Sequence, residues 1–337
     1  MTFVYLLFGF LFGYFLLQAK LNRYDTISGM ATLEDFSVAK AIMVALGIGA
    51  VLIGFEISMG MASFHVKTLI PWAQIIGGVI FGSGMAILGY CPGTLAISLG
   101  EGSLDALAGI VGGIIGSVVY YVIAPSLGFL HATELGKMSL HSLLGEFGPV
   151  YFVIVAVWAA LMIGGAIYLD RLEKSTSKKW VYTGAGLAVL NGIMFMDVAL
   201  GKPIGASSVF PYIGGMATGQ SEAAWFGKVT GSGSWQMIFL GGALMAGFVF
   251  SVMRKEFKLT VIHSRWEKYK GNSVAKRLVY AFLGGFLLLF GARMADGCTS
   301  GHVISGGMQM AFSSYLFALF TFGGLLVTGH FFYRKKR

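Results

Sequence analysis

Gly77-Gly78-Val79-Ile80-Phe81-Gly82-Ser83-Gly84-Met85-Ala86-Ile87-Leu88-Gly89-Tyr90-Cys91-Pro92-Gly93-Thr94 returns in weakened form later in the chain, as Gly284-Gly285-Phe286-Leu287-Leu288-Leu289-Phe290-Gly291-Ala292-Arg293-Met294-Ala295-Asp296-Gly297-Cys298-Thr299-Ser300-Gly301. The two cysteines of the sequence occupy the same place in both copies. In each, a Gly-Gly pair stands fourteen positions before the cysteine, a glycine seven before it, and a serine, Ser98 or Ser305, seven after it. A duplicated thiol in an apolar setting points to a symmetric membrane site.

Composition agrees. Of 337 residues, 56% are hydrophobic and only 12% charged, against about 25% charged in soluble domains, and the mean hydropathy is +0.77. Fifty glycines suit closely packed transmembrane helices, since lipid supplies no hydrophobic drive for helix association and close backbone approach must replace it. The net charge of +9 is therefore no nucleic-acid signal. Basic residues gather at 171–179, at 254–277 and in the tail Arg334-Lys335-Lys336-Arg337, as cytoplasmic flanks facing anionic membrane lipid do. The first apolar run, 2–19, lacks a basic start and a small-residue cleavage pattern and reads as a retained helix.

With about 20 apolar residues per crossing, the chain predicts nine transmembrane helices, near 2–19, 38–59, 71–90, 104–124, 149–169, 180–200, 234–253, 278–297 and 312–332. Lys20, Arg23 and Lys40 flank the first connection, and the strongly basic segments follow the fifth, seventh and ninth helices. All lie on one side, so the N-terminus is expected outside and the C-terminus in the cytoplasm of a multi-pass protein. The segment with His131, Glu134, Lys137, His141 and Glu146 is then expected outside, as a short surface helix, while Glu101 and Asp105 read as a solvated loop at the inner mouth. The cysteine-bearing helices are five crossings apart and enter from opposite sides, which makes the copies inverted repeats. The expected fold is all-α, in one transmembrane domain over 1–337: 1–125 the first repeat, 126–179 a linker with the fifth helix, 180–337 the second repeat. Such repeats commonly enclose a substrate path lined by broken helices.

The breaks fall at the cysteines. Cys91-Pro92-Gly93-Thr94 and Cys298-Thr299-Ser300-Gly301 each follow a long apolar helix and precede a stretch too brief for a crossing, 95–99 or 302–310. Proline at the first helical position and nearby hydroxyls, Thr94 and Ser300, suit helix starts inside the protein, where orphan amides attract anions. A thiol there can bond a soft sulfur anion. The plain alternative is a small buried hydrophobe, and a Cys91–Cys298 disulfide would need Cα atoms within about 7 Å.

These residues, with Ile76 ahead of the first signature and His302 closing the second, resemble the paired signatures of the YeeE/YedE sulfur-transport family of bacterial inner-membrane proteins, across nearly the whole chain. The resemblance implies uptake of thiosulfate or a related sulfur compound through a cysteine-lined path, with room for a cytoplasmic sulfur-carrier or sulfurtransferase protein as partner. The family's third cysteine, counted back from Ala39-Lys40-Ala41-Ile42, falls on or near Asn22. An amide can donate to an oxyanion but does no thiol chemistry.

Arg293 and Asp296 near the end of the eighth helix are intramembrane charges, hence functional candidates, though three-residue spacing also suits an ion pair on one helix face. His302, four residues after Cys298, suits either a thiol partner or a satisfied structural role. No metal-ligand pattern or cofactor motif occurs, and the seventeen methionines are read as packing. The expected activity is transport, not enzymatic, with Cys91, Cys298, Asn22, Arg293, Thr94, Ser300 and His302 on the substrate and no cofactor. A membrane thiol oxidoreductase or sulfurtransferase, and a passive channel for hydrosulfide or a selenium species, are the other readings.

Overall fold

The computed structural model describes residues 1–334, so the tail's last three residues, 335–337, lie outside the described residues. The described chain is helical throughout, with isolated bridges and no strands. Its helices are α1 Thr2–Gln18, α2 Tyr24–Ala31, α3 Ser37–Ser58, α4 Pro71–Leu88, α5 Pro92–Gly100, α6 Leu104–Ile123, α7 Leu140–Leu144, α8 Pro149–Glu173, α9 Lys179–Phe195, α10 Val209–Ala217, α11 Ala224–Met253, α12 Ser264–Lys270, α13 Val274–Met294 and α14 Phe312–Phe332. A 3-10 segment, Ala124–His131, follows α6, and a π-helical segment, Thr299–Gly306, follows Cys298.

Local sequence explains the ends. Proline opens α4, α5 and α8 at a position whose N–H has no intrahelical partner. Gly89 stops α4 in the left-handed region at φ 79°, where a side chain would be strained. A long helix stands at each of the nine apolar runs, and seven stretches of the described residues are long and apolar enough to cross a membrane; Thr2–Gln18 is apolar but shorter. The short helices α2 and α10 lie in what reads as connecting sequence. α8 leaves Val150, Val153, Val157 and Leu161 exposed, an apolar face suited to lipid.

Glycine sets the packing. A methyl group at Gly77 of α4 would stand 2.9 Å from the Gly291 carbonyl oxygen of α13, and one at Gly291 would stand 2.6 Å from the Gly77 carbonyl; Gly84 and Gly284 face the same two helices in the same way, a methyl at Gly284 lying 2.7 Å from the Leu88 nitrogen. These backbones touch with hydrogen alone between them. α6 lies on α13 as α14 lies on α4, and α1 lies on α11 as α9 lies on α3.

Charges collect at one end. Asp105, in the first turn of α6, is fully buried and accepts from Arg277 Nη2 at 2.5 Å and Nε at 3.0 Å. His263 lies 3.1 Å away and Tyr90 donates at 3.1 Å. This corrects the expectation of a solvated loop: the partners come from far along the chain and close over Asp105. Arg277 also donates to the Leu88 carbonyl at 2.6 Å, capping α4, and lies over the Tyr24 ring. At the same end Lys40 of α3 is buried between Asp170, at 3.1 Å, and Glu173. Arg265 holds Glu34 at 2.7 Å and keeps its carboxyl down at about 2, so this surface tie of α12 to the α2–α3 turn stays ionised. At the opposite end the 124–148 segment forms the 3-10 turn and α7, not one surface helix.

Candidate functional site

Two breaks face each other across the middle of the bundle. Cys91 is the N-cap of α5: its amide donates to Thr94 Oγ1 at 2.9 Å, and Thr94 returns a bond to the Cys91 carbonyl at 3.1 Å. This reciprocal pair holds the thiol at the helix start. Cys298 is extended at φ −128° ahead of the π-helical segment, buried, with Sγ 3.3 Å from Ser300 Oγ and within bonding reach of Ser207 and the backbone of Ala206 and Gly301. The Cys91 thiol reaches Thr299, the residue next to the other cysteine. Both thiols are free.

A cavity of about 660 Å³ opens on one side and ends at Cys298. Its wall carries Lys67, Lys202, Lys228 and Arg293, with Asp296 as the one carboxylate. Asp296 pairs with Lys67 at 2.9 Å; it sits past the end of α13 at φ 57°, where the backbone has left the helix, so the three-residue spacing no longer aims it at Arg293. Arg293, 5% exposed, donates to Ser207 and leaves its Nε buried without a partner. A buried guanidinium N–H with nothing to bond is costly, and an anion in the cavity would satisfy it.

Next to the Cys298 break lies a narrow chamber of about 50 Å³, walled by Phe12, Leu16, Ile27, Met85 and Ile304, with Cys91, Thr94, Thr299 and Ser300 as its polar members. On its far side a second open cavity of about 350 Å³ is lined by Arg23, Ser98, Glu101, Glu256 and His263. Leu21 lines the chamber and Arg23 the second cavity, so the fully buried Asn22 between them belongs to the barrier. Its Nδ2 donates to Glu101 at 2.5 Å and approaches Ser98 Oγ at 3.4 Å, while Ser98 donates to the Asn22 carbonyl at 2.5 Å.

Cys298 thus stands in the wall of the first cavity, Cys91 in that of the chamber, and Asn22 next in sequence to Arg23 of the second cavity. His302 stands apart: Nε2 lies 2.8 Å from the Ala295 carbonyl, Nδ1 3.2 Å from Ser314, and the ring stacks on Phe317 at 4.8 Å. It anchors the π-helical segment to α13 and α14. Sequence reading placed Glu101 at the inner mouth but only as part of a solvated loop, and it gave no role to Ser207 or the cavity lysines, because none repeats with the cysteines; Ser98 did carry a signal, its place seven residues after Cys91. The matching Ser305 donates to the Ile204 carbonyl at 2.9 Å, just as Ser98 does to Asn22.

A model of the sulphur transport family matches residues 24–327, both signatures included. The chain belongs to that family. Among its relatives, the thiosulfate transporter TsuA of Spirochaeta thermophila is 25% identical over 342 residues, covering 94% of each chain. The thiosulfate transporter TsuA of Escherichia coli is 21% identical over 95% of this chain and 91% of its own length. The probable transporter YedE of Escherichia coli is 28% identical over 165 residues, 47% of this chain and 39% of its own. Like other members of the sulphur transport family, this one is an apolar, helical, membrane-spanning protein.

Proposed function

We propose that this chain takes up a small sulfur-containing anion, thiosulfate or a close relative, across a bacterial cytoplasmic membrane by way of Cys298, Cys91 and Asn22. The succession of cationic cavity, thiol, dry chamber, thiol and amide carries the proposal, and the names of the full-length relatives agree with it. Lysines and Arg293 draw the anion in. Cys298, beside Ser300, offers an S–H to its soft sulfur and the chamber strips its water. An anion unpaired in so apolar a space is costly, so Cys91, held by Thr94, must take the sulfur before Cys298 lets go. Asn22 then bonds the hard oxygens where a third thiol would have bonded sulfur.

Nine crossings in two inverted repeats, with α8 as linker, belong to this reading. The exchange of partners supports them: α6 with α13 against α14 with α4, α1 with α11 against α9 with α3, and Gly77 with Gly291 against Gly284 with Gly84. The basic connections meet at the end of the second cavity, which supports a cytoplasmic C-terminus and an outside N-terminus; a cytoplasmic sulfur-carrier or sulfurtransferase protein would receive the ion there. Single cysteines placed by Ser175→Cys and Thr133→Cys in a Cys91→Ser/Cys298→Ser background are expected to react only with cytoplasmic and only with external reagents, respectively. Reversed labelling overturns the orientation, and labelling of both from one side breaks the repeat scheme.

The function itself is tested by uptake of isotopically labelled thiosulfate into proteoliposomes, which the parent chain should support and an empty liposome should not. Asn22→Leu, which leaves the ion without a donor in a dry neck, should lower that uptake at least about tenfold, the equivalent of about 1.4 kcal/mol. Asn22→Cys should raise thiosulfate uptake relative to sulfate. Parental transport by Asn22→Leu would put the residue off the path.

A further inference from the structure

The barrier at Asn22 is built around a carboxylate. Asn22 is fully buried, its Nδ2 lies 2.5 Å from Glu101 Oε2, and its Oδ1 has no partner at all. Turning the amide over would aim Oδ1 at an anionic oxygen, so Glu101 dictates the orientation and leaves the acceptor orphaned. Behind Glu101 stands Arg23, 3.6 Å from its other oxygen and 2.5 Å from Glu256. One carboxylate is therefore shared between a buried amide on the barrier and a guanidinium at the mouth of the second cavity.

An amide N–H and a guanidinium converging on a carboxylate are the donors an oxyanion would recruit. We propose that Asn22 and Arg23 form an oxyanion site at the exit of the path, that the chain fills this site with its own Glu101 carboxylate, and that a permeating oxyanion passes by displacing it. This rests on the reading of Asn22 as part of the path. The exchange makes and breaks hydrogen bonds only. Glu101 releases Asn22 Nδ2 and moves onto Arg23, whose guanidinium already spans Glu101 and Glu256; the substrate's oxygen takes the freed N–H, and Glu101 returns once the ion has left for the second cavity. Glu101 is thus a gate that opens to another anion and stays shut to water or neutral solutes, which cannot replace a charge-assisted bond.

The gate can be tested without relying on transport. In a Cys298→Ser background Cys91 is the sole thiol, and a small charged thiol reagent supplied from the second-cavity side must pass the barrier to reach it. Glu101→Gln preserves size but replaces the charge-assisted bond by a neutral one of about half the strength, and should speed labelling about fivefold. Asn22→Ala should speed it as well, and Glu101→Gln added to Asn22→Ala should contribute nothing more, because the bond it weakens is gone. Equal labelling of Glu101→Gln and parent, or additive effects in the double variant, would overturn the gate. With Cys298 restored, Glu101→Gln should take up thiosulfate about fivefold faster at subsaturating concentration, and unchanged uptake there would also overturn it. If the parent itself takes up no thiosulfate in liposomes, the functional reading fails while the labelling result still judges the gate.

Discussion

Cys91→Ser and Cys298→Ser will each lower thiosulfate uptake by at least about tenfold, or about 1.4 kcal/mol, in proteoliposomes carrying the parental amount of protein. Folding should not confuse the result. Serine is among the residues preferred at an N-cap, so at position 91 it can keep the reciprocal pair with Thr94, and at position 298 it keeps a small hydrogen-bonding group beside Ser300. What serine cannot supply is a soft, polarisable partner for the ion's terminal sulfur in the largely apolar chamber of about 50 Å³. Uptake at the parental rate in both single variants would remove the thiols from the path and leave the duplicated signature as a packing motif.

Asp105→Ala will destabilise the protein by about 3–5 kcal/mol, the range for removing one partner from a buried ion pair. Arg277 and Asp105 are both fully buried, so the substitution leaves a guanidinium without its counter-charge between Tyr24, Trp266 and the end of α4. Membrane-inserted yield and the detergent unfolding temperature should both fall steeply. Asp105→Leu combined with Arg277→Met removes both charges and should recover part of the loss, since replacing a whole buried pair by apolar groups is often neutral. A single Asp105→Ala variant as stable as the parent would show that water reaches Arg277 and that the cluster is no structural tie.

Much of this architecture is legible before any coordinates. Pro71, Gly89 and Pro92 mark α4 and α5 by local stereochemistry alone, and the break that carries Cys91 follows from them. At the second copy, Ala295-Asp296-Gly297 ends α13 with two consecutive polar or flexible residues, so that break is legible too; that the following segment winds as a π-helix is not, because the choice depends on how His302 is tied to Ala295 and Ser314. α2 and α10 escape notice because eight and nine residues of mixed polarity carry no crossing signal and fold only against their neighbours.

By itself the sequence determined that this protein is helical and membrane-bound, where its long helices run, and that two thiols stand in matching breaks, since apolar length, proline, glycine and internal repetition act over a few turns of chain. The tertiary structure alone decided which charges are buried and which groups meet. Asp105 finds Arg277, Asn22 finds Glu101, and Lys67 takes Asp296 from Arg293, at sequence separations of 172, 79 and 229. No local pattern encodes such pairs: in a bundle whose helices touch through glycine, the register of one backbone against another selects the polar groups that face each other in the low-dielectric interior, where their interactions are strong.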